Sequence, residues 1–287
     1  MQTISTALRN AINAGNPQRV LLVFDDTEFT NEDIVINNGL TLREEFNTDE
    51  NLSIGSCPSS VISFELLNDE GQLEDFEFGW FTAYLGARID TGTPTEITRT
   101  FTEGGSEKTY AFSPLGVFYA EKPNVLIKKT IAVTAYDQML LLEADMPSAE
   151  TLGITYPTTI AGIYEAICTY LNITASSSQF LNYDLVVSTE PKELSNAKIR
   201  EVIGWIAECA CSIARFNRDG GLEFAWFVNP DVSYAEANYS DFVYSWYQTK
   251  AIDGLYCRDT DTSTDTIEGD DKTNNYLILD NPFLKGE

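Results

Sequence analysis

Ser195 and Lys198 stand three residues apart, just ahead of an apolar-periodic stretch. This is the S-x-x-K spacing in which a lysine amine takes the proton of a serine nucleophile. The companion motifs of that chemistry, Ser-Asp-Asn and Lys-Thr-Gly, do not occur in the chain. Ser195 and Asn196 before an amphipathic stretch are also ordinary helix N-caps, and that is the preferred reading. Three acidic pairs, Asp25-Asp26, Glu44-Glu45 and Asp270-Asp271, invite a glycosidase reading. That reaction needs two carboxylates about 5 to 10 Å apart in a cleft, which adjacency in sequence does not supply. Asp259, Asp261, Asp265, Glu268, Asp270 and Asp271 offer oxygen ligands for calcium, but without the EF-hand spacing or its glycine, so a solvated acidic loop is preferred. Gly104-Gly105 and Gly220-Gly221 read as turns, because neither lies between a strand and a helix as a phosphate cradle would.

The chain has no histidine. This excludes every Ser-His or Cys-His nucleophile and every His-ligated metal site. Five cysteines (Cys57, Cys168, Cys209, Cys211 and Cys257) are odd in number and scattered, which argues against a disulfide framework and for reduced, mostly buried thiols. If Cys209 and Cys211 share a helix, their thiols point about 200° apart, a poor chelate. No catalytic, cofactor-binding or metal-binding residue is therefore assigned. No particular interaction surface is assigned either.

Acidic residues number 44 against 18 basic ones, for a net charge of −26 over 287 residues. Such a surface repels phosphates, so a nucleic-acid-binding role is disfavoured, while a surface that DNA slides past remains compatible. Apolar residues at 43% suffice for a core. No 18-residue apolar run and no signal-peptide pattern is present, so no membrane anchor is expected.

The elements that position these residues follow from periodicity. Ile4, Ala7, Leu8, Ala11 and Ile12 predict a first helix over 1–15. A β-rich region follows over 16–147. Its strands are expected at 20–24, 60–67, around Phe76, Phe78 and Trp80, then at 97–101, 110–112, 117–120 and 125–135. Regular turns between seven or so short strands suggest a sandwich or small barrel. Beyond it, 136–143 reads as a short helix and 158–171 as a strongly periodic one. A further helix, capped by Ser195-Asn196 and running to about Cys211, feeds a β-hairpin turned at 217–221. Residues 242–246, 251–258 and 276–279 are expected strands, and 258–275 a loop. The numerous aromatics alternate on strands, with no interleaved basic residues, and so read as core rather than as a base-stacking platform.

Four stretches, taken in order, resemble one family. They are 51–65 (NLSIGSCPSSVISFE), 129–142 (KTIAVTAYDQMLLL), 199–223 (IREVIGWIAECACSIARFNRDGGLE) and 277–283 (LILDNPF). They are similar to the strand pair, strand-to-helix junction, helix-then-hairpin and following strand of phage and prophage tail hub proteins. That family comprises baseplate hubs and the N-terminal domains of tail-associated lysins. The resemblance implies an α+β, mainly β fold, with two barrel-like β domains and an inserted or flanking helical segment. The boundaries expected are 1–15, 16–147 and 148–287, the last barrel being incomplete at the C-terminus. It further implies a homotrimeric ring in the virion tail, made and assembled in the bacterial cytoplasm. The ring links the tail tube or distal tail protein to a tip or spike protein, and DNA passes through it without being bound. The chain is then a structural component and not an enzyme. A tail-tip receptor- or carbohydrate-binding β module is the alternative.

Overall fold

The computed structural model describes residues 4–35, 39–44, 54–69, 71–123, 129–225, 254–257, 276–279 and 281–284. It opens with helix α1 (Thr6–Asn13), whose N-cap Ser5 accepts the Leu8 N–H at 3.1 Å. Leu8 and Ala11 bury α1 against Ala87 and Ala111, the helix face predicted from spacing.

Eight strands follow: β1 (Gln18–Phe24), β2 (Thr27–Thr30), β3 (Thr41–Arg43), β4 (Val61–Leu67), β5 (Trp80–Arg88), β6 (Ile97–Glu103), β7 (Ser106–Ala120) and β8 (Thr130–Asp137). They form one antiparallel sheet in the order β2-β1-β5-β7-β8-β4-β3, with β6 joined to β7. Period-two patterning sets the faces. Ile62, Phe64 and Leu66 of β4 point into a core that also takes Leu22 and Phe24 of β1, Phe81 of β5, Phe118 of β7 and Val133 of β8. A smaller core on the other face gathers Leu21, Tyr110 and Phe112, with Phe101 packed against them.

The sheet curls around its core but does not close into the expected barrel. Its path ends at β2 and β3. The β1–β2 ladder stops after four residues of β2: Asn31 Oδ1, a side-chain oxygen, accepts the Val20 N–H at 2.6 Å, and Asp33 accepts the Thr30 N–H at 2.8 Å in the turn that follows. The gap is spanned by a single bridge, Ile34 with Leu66, flanked by Val35 N–H to Glu65 O at 2.9 Å and Leu67 N–H to Asp33 O at 2.8 Å. Two other expectations shift. Residues 76–79 are not strand, and β5 begins at Trp80, although Phe76 and Phe78 both pack on the ring of Phe24, at 5.3 and 6.2 Å, on the shared face that alternation predicts. The two short strands expected at 110–112 and 117–120 are one strand, β7, irregular opposite Ala83 and Tyr84.

The second half is helical at its centre. A 3₁₀-helix (Gln138–Glu143) continues β8 where a short helix over 136–143 was expected, then come α2 (Ala149–Leu152), β9 (Thr158–Thr159), α3 (Ile160–Tyr170), β10 (Thr174–Ala175), β11 (Val186–Val187), α4 (Ile199–Cys209), β12 (Ile213–Phe216), β13 (Gly221–Ala225), β14 (Gly254–Cys257) and β15 (Tyr276–Leu279). The stripes Ile160, Ile163, Ile167 and Ile199, Val202, Ile203, Ile206 are buried in a common core with Met139 and Leu142. The strands here make three small sheets, β10-β13-β12, β11-β9 and β14-β15. Among the described residues no second barrel is closed: β9, β10 and β11 are two residues each, too short to carry a continuous ladder. The chain is thus mainly β with helices, built from open sheets.

Ser195 and Asn196 do not cap α4. They end a separate 3₁₀-helix (Lys192–Asn196), and the N-cap of α4 is Lys198. The Glu201 carboxylate reaches back to accept the Lys198 backbone N–H at 2.7 Å, half of a capping box that the sequence pattern concealed. The expected strand at 242–246, the loop 258–275, the start of the strand expected at 125–135 and the first residues of the 51–65 motif lie outside the described residues. Among the described residues no helix is long and apolar enough to cross a membrane.

Candidate functional site

The S-x-x-K pair is not brought together. Ser195 Oγ donates to Lys192 O at 2.9 Å, while Lys198 Nζ lies 2.5 Å from Asp145 Oδ1. The serine thus faces its own 3₁₀-helix, and the amine is held by a carboxylate. Asp25 and Asp26 are exposed in the β1–β2 turn. Glu44 pairs with Arg218 at 2.9 Å, and Glu45, Asp270 and Asp271 are outside the described residues, as are the other calcium candidates Asp259, Asp261, Asp265 and Glu268. Gly104-Gly105 closes the β6–β7 hairpin as expected; Gly220 lies in the turn of the β12–β13 hairpin, while Gly221, expected as a turn residue, is the first residue of β13. Among the described residues no three acidic, Cys or His side chains are grouped to hold a metal ion. Cys57, Cys168 and Cys209 are buried free thiols and Cys211 is exposed. Burial pushes the Cys57 and Cys168 thiols up to about 12, which keeps both protonated and unreactive.

What the fold does assemble is a junction around α4. Residues 54–57 leave the sheet and run along β12: Gly55 N–H donates to Ser212 O at 2.8 Å, and Ala214 N–H to Ser56 O at 2.9 Å. Two backbone hydrogen bonds thus tie this segment to the β12 side of the β10-β13-β12 sheet. The approach is close, since a Cβ on Gly204 of α4 would sit 3.0 Å from Gly55 O. Arg200, one turn earlier, donates to Cys57 O from Nε at 3.1 Å and from Nη2 at 2.5 Å, and its Nη1 is paired with Glu143. One guanidinium thus ties the 54–57 segment and the 3₁₀-helix to α4.

The 3₁₀-helix is fixed at its other end by Asp137. Its carboxylate accepts Ser59 Oγ at 2.8 Å, Ser60 N–H at 2.8 Å and Met139 N–H at 3.1 Å. The side chain is only 4% exposed. Burial raises its pKa above the ordinary aspartate value, and the donors from Ser60, Ser59 and Met139 oppose that without cancelling it. Toward the C-terminal end of α4, Asn281 is 1% exposed and donates to Trp205 O at 2.7 Å and to Glu208 Oε2 at 2.8 Å. Its Oδ1 accepts the Phe283 N–H at 2.9 Å, and the Phe283 ring stands edge-on to Trp205 at 6.2 Å. Between α4 and the 54–57 segment remains a cleft of about 510 Å³, open to solvent and edged by Glu143, Lys198, Arg200, Glu201 and Glu208.

The junction therefore joins residues from all four stretches quoted above, far apart in sequence. Sequence reasoning marked those stretches but not the residues that join them. Arg200, Asp137 and Asn281 each bond across more than seventy positions, which no local pattern reports.

No protein-family model matches the chain, and no curated protein matches its sequence. Among solved structures, the 43 kDa tail protein of prophage MuSo2 from Shewanella oneidensis is similar, at 13% identity and a TM-score of 0.48, over 92% of this chain and 72% of that one.

Proposed function

We propose that the chain is a structural protein of a phage or prophage tail, and specifically a hub ring at the tail tip. The observation that carries this reading is the junction itself. Of the four stretches whose order resembles the hub family, one contains α4 and the other three meet at it, so the resemblance follows one physical unit rather than four coincidences. In this reading three copies close a ring between the tail tube and the tip or spike protein. In this reading part of the acidic excess, −26 over the whole chain, lines a channel that repels phosphates, so DNA passes and is not held. The chain performs no reaction of its own, in keeping with the separation of Ser195 from Lys198. Antibodies raised against the purified chain test this on particles released from its host. Electron microscopy is expected to show label at the distal end of the tail, and the chain itself to leave cell-wall substrate intact in a zymogram. Label on the capsid, or on no particle, refutes the tail assignment, and a cleared band refutes the non-enzymatic one.

A further inference from the structure

Strand β6 presents an edge that nothing among the described residues covers. It pairs with β7 on one side, from Ile97 opposite Phe112 to Glu103 opposite Ser106. The turn between them is two residues long, so Glu103 and Ser106 exchange backbone hydrogen bonds, and the pattern alternates from there. The backbone groups of Glu103, Phe101, Arg99 and Ile97 consequently face β7. Those of Thr98, Thr100 and Thr102 face outward, and the side chains of these three threonines are exposed. Only the Thr98 carbonyl is capped locally, by Arg99 Nη1 at 2.9 Å.

Natural edges of this length are normally blunted by proline, lysine, a bulge or a covering segment. Residues 97–103 hold no proline and no lysine, and the pairing with β7 is unbroken. The two charges of β6 are engaged within the chain, though not buried: Arg99, 41% exposed, pairs with Glu28, and Glu103 with Arg19 and the Tyr110 hydroxyl. The β6–β7 hairpin is neutral over 97–112, with Arg99 and Lys108 balancing Glu103 and Glu107. In a chain carrying −26, this is a stretch where a second copy can approach without facing net like charge.

We propose that β6 is a docking edge for a second copy of this chain, joined antiparallel about a twofold axis at Thr100. That register is self-complementary. It sets Thr100 against Thr100 and Thr98 against Thr102, both favourable cross-strand pairs, and forms about six backbone hydrogen bonds. The contact is twofold, whereas a closed ring of three uses head-to-tail contacts, so it does not rest on the ring and fails separately from it.

Sedimentation velocity across a concentration series, at about 0.5 M salt to screen the acidic surface, tests the proposal. The wild-type chain is expected to show pairwise association through β6, of single copies or of rings. Thr100→Pro removes an outward N–H that β7 does not use, so it is expected to keep the circular dichroism spectrum and to weaken that association at least about tenfold. Thr100→Cys, in a background with the exposed Cys211 changed to Ser, is expected to oxidise to a covalent dimer, while the Cys211→Ser parent does not. Twofold association of equal strength in wild type and folded Thr100→Pro overturns the proposal. So does failure of Thr100→Cys to cross-link, which decides the case should Thr100→Pro not fold. A threefold species that survives Thr100→Pro speaks for the ring alone.

Discussion

Asp137 shows how a single carboxyl serves as a structural pin. It takes three donors, from Ser59, Ser60 and Met139, and so fixes the start of β4 to the end of β8 and to the 3₁₀-helix beyond. Burial nevertheless outweighs those donors and raises its pKa above the 3.8 of an unperturbed aspartate. A carboxyl that holds its proton more tightly in the folded state adds stability that is full below pH 3.8 and is lost as pH rises through the raised value. Asp137→Asn cannot titrate, and it sets an amide donor against the Ser60 N–H. The variant is therefore expected to be less stable than wild type, with the gap narrowing as pH rises from about 3 to 6, measured by urea unfolding at each pH. A gap that widens over that range contradicts the assignment. Nothing in the local sequence singles out this aspartate among 44 acidic residues; its role comes from Ser59 and Ser60, more than seventy positions away.

Among the elements, α4 is the piece on which the rest is hung. Its apolar stripe was legible, because Ile199, Val202, Ile203 and Ile206 repeat at helical spacing, and all four are fully buried. The hairpin that follows was legible from Asp219-Gly220, and β4 from strict alternation. The cap of α4 was misread, because Ser195 and Asn196 are strong cap residues held in a neighbouring 3₁₀-helix. Barrel closure was also misread, since pairing of the edge strands β2 and β3 depends on where the β1–β2 ladder stops and not on any strand's own pattern. The close approach of residues 54–57 to Gly204 was invisible for a similar reason: a mid-helix glycine reads as a weak helix residue until the neighbouring backbone is seen. Gly204→Ala should gain up to about 1 kcal/mol in helix propensity. Its Cβ, however, meets the Gly55 carbonyl at 3.0 Å, which is backbone and must move. The net effect is expected to be a loss of about 1 to 3 kcal/mol in chemical denaturation. A stabilised variant would show that the 54–57 segment does not lie against α4.

For the whole molecule, charge and assembly are coupled. In the proposed ring, copies gathered around a narrow acidic channel would repel one another, and at about 0.15 M salt, where the screening length falls to roughly 8 Å, that repulsion would fade. Ring formation is thus expected to rise with salt and with protein concentration. An acidic lumen and a nucleic-acid-binding surface are mutually exclusive, so duplex DNA should not be retained at any salt at which the ring is stable. The most direct measurement is cryo-electron microscopy of the purified chain above about 0.15 M salt, with and without duplex DNA. The account predicts rings of three copies around an acidic opening, with the junction at α4 intact in every copy and no bound duplex. Copies that cannot close a threefold ring, or a ring that holds DNA tightly in its opening, would contradict it.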